Sequence, residues 1–253
     1  MNSVDERGSG SKAVVSGVGV LDKAVGILSF LAAEGPASLA GVVEGTGLAR
    51  PTAYRLLSAL EAHGLVARRG GRYALGLGLL GWGERAAAVA SPGLVEAARP
   101  ALVGLRDNVG ESTQLYVREG DGRVCVASFE RATGLRTTVA VGAVLPLDRG
   151  SAGKVLLAWA EDAGRFGVTY DVLAEVRGQG WAKSVAEREE GVASVSAPVF
   201  RGGRVVAAVG ASGPIARLGE RPGERMANRV VEAAREVEAA FEAGRFSARE
   251  PGR

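Results

Sequence analysis

Cysteine and histidine are almost missing from this chain of 253 residues, which holds one of each, Cys125 and His63. A lone cysteine excludes an internal disulfide and a cysteine-based zinc site. A lone histidine leaves little room for metal chemistry or for a histidine-based triad. No apolar run comes near the roughly 20 residues that span a bilayer. The opening MNSVDERGSGSKAVVSG carries Asp5 and Glu6 and no long apolar stretch, so it reads as a flexible polar tail and not as a signal peptide. These absences point to a soluble, cytoplasmic protein. Net charge is small as well, +3, so bulk electrostatics do not mark a nucleic-acid binder. The local balance differs. Between residues 50 and 72 stand Arg50, Arg55, Arg68, Arg69 and Arg72 against the single acid Glu61. Such a cluster fits either a phosphate-contacting face or a solvated basic surface.

What the chain does have is a clear succession of helix and strand signals. LDKAVGILSFLAAEG sets Ala24, Ile27, Leu28 and Leu31 on one helical face, and Gly35-Pro36 closes it. Ser38 can cap a second helix, LAGVVEGTG, ended by Gly45 and Gly47. After the tight TGLA turn, Pro51 suits the first position of a third helix, PTAYRLLSALEAHG. Ala53, Leu56, Leu57 and Leu60 form its buried stripe, and Gly64 its stop. LVARRGGRYALG then gives two short strands around Arg69-Gly70-Gly71. Three short helices and a hairpin make a winged helix-turn-helix, whose third helix enters the DNA major groove. Thr52, Tyr54 and Arg55 lie early enough on its polar side to reach base edges, with Arg50 at the helix entrance against a phosphate. Arg68, Arg69 and Arg72 hang from the wing over the backbone or the minor groove. A small helical module that binds an acidic protein partner would use the same core.

Gly76 to Gly81 spell GLGLLG, a match to the dinucleotide fingerprint. The strand before it belongs to an antiparallel hairpin and no parallel βαβ unit follows, so the match is chance and no cofactor is expected. LLGWGERAAAVA reads as a connecting helix. From Ser91-Pro92 the character changes. GLVEAARPALVGLRDNVG reads as a helix bent or restarted near Pro100. STQLYVREGDGRVCVASFE is a hairpin around Gly120-Asp121-Gly122, and LRTTVAVG a third strand. SAGKVLLAWAED and YDVLAEVRGQG read as helices, and GVASVSAPVFRGGRVVAAVGASG as two strands around Arg201-Gly202-Gly203. A last amphipathic helix runs from about Glu220 to Phe241. The expected class is α+β, an antiparallel sheet flanked by helices.

RGSAGKVLLAWA sets Ser151 and Lys154 in a Ser-x-x-Lys relation. An acyl-enzyme of that kind needs Ser-Asp-Asn and Lys-Thr-Gly partners, and neither occurs. A phosphate loop needs glycine where Asp148 stands and serine or threonine where Val155 stands.

Four stretches in order resemble the isocitrate-lyase-regulator (IclR-type) family of bacterial transcription regulators. The first is VLDKAVGILSFLA with TGLARPTAYRLLSALEAHGLVARRGGRYALG; then come VGAVLPLDRGSAGKVLLA, GWAKSVAEREEGVASVSAPV and VVAAVGASGP. The likeness covers about Gly19 to Phe241. It implies an N-terminal winged helix-turn-helix, a linker helix and a C-terminal GAF-like α/β effector-binding domain for a small metabolite. It also implies homodimers, or tetramers of two dimers, on palindromic promoter DNA, with the N-terminal domains and linker helices making much of the dimer contact. The expected division is a tail over 1–16, the DNA-binding domain over 17–78, the linker helix over 79–91, the effector-binding domain over 92–245 and a tail over 246–253.

Pocket positions follow from the same resemblance. Leu145 matches an apolar wall, and Ser151 and Ala152 the turn lining the effector pocket. Ser184 falls where relatives that bind small keto acids have aspartate, Ser194 where the family often has cysteine, and Gly210 where some members have serine. Ser212 keeps the family's serine. These departures imply a roomier, less charged pocket and an effector larger or more apolar than glyoxylate or pyruvate. Helix-start N–H groups suit an anion, so Ser151, Ala152 and Gly153 are candidates to hold the effector's carboxylate. A purely structural helix start is the competing reading. Glu187, Glu189 and Glu190 form an acidic run open to a role on ligand or on structure, with a solvated loop the favoured reading; His63 reads as a cap of the third helix, and Cys125 as a buried strand residue with a redox sensor as its alternative. The leading function is a metabolite-responsive DNA-binding regulator. A ligand-independent repressor and a hydrolase using Ser151 and Lys154 are the alternatives.

Overall fold

A computed structural model describes residues 16–90 and 93–247. Apart from Ser16 and residues 246 and 247, the two expected tails lie outside the described residues, as do Asp5, Glu6 and the Ser91-Pro92 boundary. The chain divides into two compact units, Met1–Ala86 and Ala87–Arg253.

The first unit starts with α1 (Gly19–Glu34), α2 (Leu39–Thr46) and α3 (Arg50–Ala62). The hairpin of β1 (Val66–Arg69) and β2 (Arg72–Leu75) follows, then α4 (Gly78–Ala90), whose last four residues belong to the second unit. Ile27, Leu31, Val42, Leu57, Leu60, Val66 and Tyr73 share one core, with Ala24, Leu28 and Leu56 packed half-buried against it. Each large side chain buried this way contributes about 1.5–3 kcal/mol. The Ser38 hydroxyl caps α2 by accepting from the Gly41 N–H at 3.2 Å, and Gly47 closes that helix at φ 67°. Gly45 does not end α2. It sits inside the helix because a Cβ there would enter the ring of Phe30. Gly70 and Gly71 both have positive φ, 56° and 79°, the backbone of a tight hairpin turn whose twist matches its strands. Ala37 adds itself to the wing through mutual main-chain bonds with Tyr73 of 2.9 and 2.7 Å. The glycines of GLGLLG also have a steric cause: a Cβ on Gly76 would strike the Gly64 carbonyl, and one on Gly78 would come within 2.9 Å of the same oxygen.

The second unit comprises α5 (Leu94–Val109), β3 (Ser112–Glu119), β4 (Gly122–Phe129), β5 (Val144–Pro146), α6 (Ser151–Ala158) and α7 (Tyr170–Gln179). β6 (Ala182–Val185), β7 (Val192–Arg201), β8 (Arg204–Pro214), α8 (Ile215–Leu218) and α9 (Pro222–Ser247) complete it. The sheet runs β5-β4-β3-β8-β7-β6, antiparallel throughout. Strand period two sorts its side chains. Ala193, Val195, Ala197 and Val199 of β7 share a core with Val209 of β8 and with the apolar faces of α5 and α9. On the other face Tyr116, Cys125 and Ala208 pack with Val155 and Leu157 of α6 and with Leu173 and Val176 of α7.

Several elements differ from expectation. α5 runs unbroken through Pro100, which is exposed. α6 stops at Ala158, short of Asp162, and α9 spans Pro222–Ser247. β6 was not anticipated. LRTTVAVG forms no strand; the place beside β4 is taken by β5, just after it. Thr137 and Val139 are buried while Arg136, Thr138 and Ala140 are exposed, so the alternation is real, but no strand pairs with it. The Leu135 carbonyl accepts instead from Arg217, and the Gly142 N–H, at φ 87°, donates to Cys125.

Candidate functional site

In the first unit, Pro51, Tyr54, Arg55 and Ser58 stand exposed at helical spacing on α3, opposite the buried Ala53, Leu57 and Leu60. Thr52 is half-buried at the margin of this stripe, and Arg50 is exposed in the first turn. Arg50, Arg55 and Arg69 form no ion pair with a described residue, which leaves their charge available to an external anion. The other two wing arginines already have partners. Arg68 packs over the Tyr73 ring with its guanidinium carbon 5.4 Å from the centroid. Arg72 donates from Nε and Nη2 to the Pro36 carbonyl at 3.1 and 2.7 Å, tying the wing to the turn after α1. His63 takes the C-cap of α3, its N–H donating to Ala59 at 3.2 Å.

In the second unit, strand register builds a polar patch. Ser112, Ser212, Ser194 and Ser184 fall in one row across β3, β8, β7 and β6. Ser128, Gln114, Gly210 and Ser196 make the next row. Against these rows stands the start of α6, where the Ser151 hydroxyl bonds those of Ser194 and Ser196 at 2.7 and 2.8 Å. A cavity lies between them, with about 30 Å³ open to the centre of a water molecule. Of the expected effector residues it brings together Ser151, Ala152, Ser184, Ser194 and Ser212.

Leu145 and Gly153 do not line it. Leu145 pairs with Arg123 from the edge strand β5 and packs into the α6 core. Gly153 lies beneath Arg123, where a Cβ would sit 2.8 Å from Nη1.

Sequence reasoning missed two cations that line the cavity, Arg123 and Arg188, and with them Gln114, Tyr116 and Ser196; Glu189 lines it as well. Gln114 is 1% exposed; its Oε1 accepts from Ser212 at 3.1 Å, and its Nε2 has no hydrogen-bond partner. Arg123 is 3% exposed. Its Nη1 donates to the carbonyls of Pro146 and, at 2.8 Å, Arg149, and its guanidinium lies over Tyr116, while Nε has no partner. Burial pushes its pKa down to about 10, with the Arg188 charge adding to the effect; Asp148 and Glu187 offset it only in part, since neither comes within ion-pair distance. The available signal was polar residues at inward-facing strand positions. Arg123 and the Arg188–Glu189 pair make the cavity more charged than Ser184, Ser194 and Gly210 imply. Those positions are open enough, but Arg123 and Arg188 enter from elsewhere.

Ser151 and Lys154 do not form a catalytic pair. The Lys154 ammonium donates to Glu187 and, at 3.0 Å, to the Lys183 carbonyl. Glu187 also accepts from the Gly150 N–H at 3.0 Å, so it braces the start of α6 and is not merely a solvated loop residue. Glu189 pairs with Arg188 at 3.0 Å and both line the cavity, while Glu190 is exposed.

A basic recognition helix with a wing, joined in sequence to an antiparallel-sheet unit with a polar cavity, defines a DNA-binding protein of the winged helix-turn-helix class. The IclR helix-turn-helix domain matches residues 20–70, and the bacterial transcriptional regulator IclR C-terminal domain matches 86–165 and 169–239. The chain belongs to the IclR family of DNA-binding transcription regulators, and is a regulator rather than an enzyme. It is 34% identical over 254 residues to the glycerol operon regulatory protein of Streptomyces griseus, covering 89% of this chain and 97% of that one. The IclR structure from Thermotoga maritima superposes with a TM-score of 0.70 at 24% identity, over 88% and 98% of the two chains. An IclR homologue from Microbacterium hydrocarbonoxydans, complexed with 4-hydroxybenzoate, gives 0.67 at 21% identity over 88% and 99%.

Proposed function

We propose that this regulator reads promoter DNA with Thr52, Tyr54 and Arg55, holds phosphates with Arg50, Arg68 and Arg69, and changes its DNA affinity when a small carboxylate binds the serine-lined cavity. Arg72 serves by fixing the wing. The observation that carries the effector reading is Arg123, a buried cation without a carboxylate partner, beside the unpartnered Gln114 Nε2. A buried charge is costly until an opposite charge joins it. The N–H groups of Ser151 and Ala152, the residues of the α6 start that line the cavity, favour the same anion. The homologue holding 4-hydroxybenzoate, a monocarboxylate, is of the same fold.

On this reading residues 17–78 bind DNA, 79–91 form the linker helix and 92–245 sense the effector. The working form is a cytoplasmic homodimer, or a pair of dimers, on a palindromic site. Exposed Val20, Leu21 and Val25 of α1, Val18 just before it, and Leu80 and Trp82 of α4 offer the apolar surface that such an assembly covers. No helix among the described residues is long and apolar enough to cross a membrane. A ligand bound better in one arrangement of the sensor units shifts the spacing of the recognition helices. A second reading, a regulator that needs no ligand, draws on the Ser151–Ser194–Ser196 hydroxyl network, which satisfies itself.

Binding to the DNA upstream of the protein's own gene, titrated with salt against a scrambled duplex, tests the DNA half. Tight binding to one short near-palindrome is expected. Equal weak binding to both duplexes with one steep salt slope would leave only generic phosphate attraction.

A further inference from the structure

The irregular segment between β4 and β5 supplies Val139 to the cavity wall and is tied at both ends. At its far end the Gly142 N–H donates to the Cys125 carbonyl at 2.7 Å, and the Cys125 N–H to Ala143 at 3.0 Å. At its near end everything converges on one buried carboxylate. The Glu111 side chain is 4% exposed, and Arg217 grips it with two bonds of 2.7 Å, while Arg131 approaches to 3.5 Å. Each arginine divides its bonds between Glu111 and this segment. Arg217 Nη2 also donates to the Leu135 carbonyl at 2.8 Å. Arg131 donates from Nε to Thr133 at 2.8 Å, from Nη1 to Gly110 at 2.7 Å and from its N–H to the Ser112 hydroxyl at 3.1 Å. Gly213 makes room for the carboxylate, since a Cβ there would lie 2.6 Å from Glu111 Cδ. Ser112 and Ser212, one step further along each strand, form the first row of the serine patch.

We propose that Glu111, with Arg131 and Arg217, is a latch that positions this strap and sets how readily the cavity opens; the proposal rests on the cavity being the effector site. None of the three lines the cavity, so they are positioning residues. Without the Glu111 charge the arginines lose their common anchor, and the Thr133 and Leu135 carbonyls turn to water at little cost. Between its ties the strap buries only Thr137 and Val139, whereas β3 and β8 keep their own ladder. A segment with so little buried surface opens locally while the sheet stays folded.

The chain carries its own reporter. Cys125, the sole cysteine, is fully buried beside Val139 and bonded to the strap's far end. Labelling of the full-length protein with an aromatic disulfide reads strap opening directly. Glu111→Gln should label roughly tenfold faster than wild type or more, with Glu111→Asp in between. Val230→Ala, which weakens the core on the opposite face of the sheet, should leave labelling near wild type despite a lower urea midpoint. Should Glu111→Gln fail to accumulate folded, Arg217→Lys, which keeps the charge but loses the two-pronged grip, gives the same readout. Labelling rates that merely follow global stability across these variants would overturn the latch. Glyoxylate, pyruvate and 4-hydroxybenzoate, added in turn, distinguish the underlying reading: protection of wild-type Cys125 supports it. Fast labelling of Glu111→Gln without protection of wild type by any acid would remove the effector reading and leave the strap mechanics standing.

Discussion

Replacing Arg123 with methionine separates a structural cation from one that waits for a ligand. A guanidinium titrating at about 10 rather than its usual 12.5 is disfavoured in the charged form by roughly 3 kcal/mol. The sign follows from the depressed value for a base: the cost is complete below pH 10 and fades as pH rises towards 12.5. Methionine removes that cost. It also removes the bonds to the Pro146 and Arg149 carbonyls and the stacking on Tyr116, together worth about 2–4 kcal/mol. The two sides nearly cancel, so Arg123→Met should unfold within about 2 kcal/mol of wild type in urea at pH 7. Between pH 10 and 12 the wild type should gain relative to the variant. Carboxylate binding behaves differently. Losing a buried, charge-assisted partner costs about 2–5 kcal/mol, so affinity by calorimetry should fall roughly 30-fold to several thousand-fold. A variant that loses more than about 4 kcal/mol of stability would make Arg123 structural. One that binds the acid within threefold of wild type, at about 0.6 kcal/mol or less, would refute its role as the anchor.

Arg55→Ala should lower operator affinity by about 1–3 kcal/mol in fluorescence anisotropy while the oligomer stays intact by sedimentation. Arg69→Ala should lower the slope of log affinity against log salt by about 1, the signature of one lost phosphate contact. Arg72→Ala should instead leave the salt slope near wild type and cost the first unit about 1–2 kcal/mol, since its bonds go to Pro36. Gly210→Ala should weaken acid binding yet spare DNA affinity in the absence of ligand, because the added Cβ lies 2.8 Å from the Ser196 hydroxyl and turns it away from Ser151.

The parts legible in the sequence are those whose signal is local. Ser38 capping, the Gly47 stop and the Gly70-Gly71 turn are written within a few residues, and α1 to α3 follow from their apolar spacing. The alternation in ASVSAPV places Ser194 and Ser196 on the face opposite Val195 and Ala197. Arg123 was hidden because it follows the Gly120-Asp121-Gly122 turn, where an arginine reads as solvated. β5 and the loop before α6 bury it. Glu187 was hidden in an acidic run for the same reason, its partner Lys154 lying 33 residues away in the chain. LRTTVAVG has a strand's alternation because Thr137 and Val139 do face inward. What it lacks is a neighbouring ladder, and local pattern cannot supply one.

The most direct test of a carboxylate-responsive regulator measures the operator affinity of the full-length protein with and without each of a panel of small monocarboxylates. The same acids are then titrated into the protein with and without operator. One acid should change DNA affinity about 5- to 150-fold, and operator should change affinity for that acid by the same factor, as linkage requires. Operator binding that no acid shifts, or an acid that binds equally well to free and DNA-bound protein, would contradict the account.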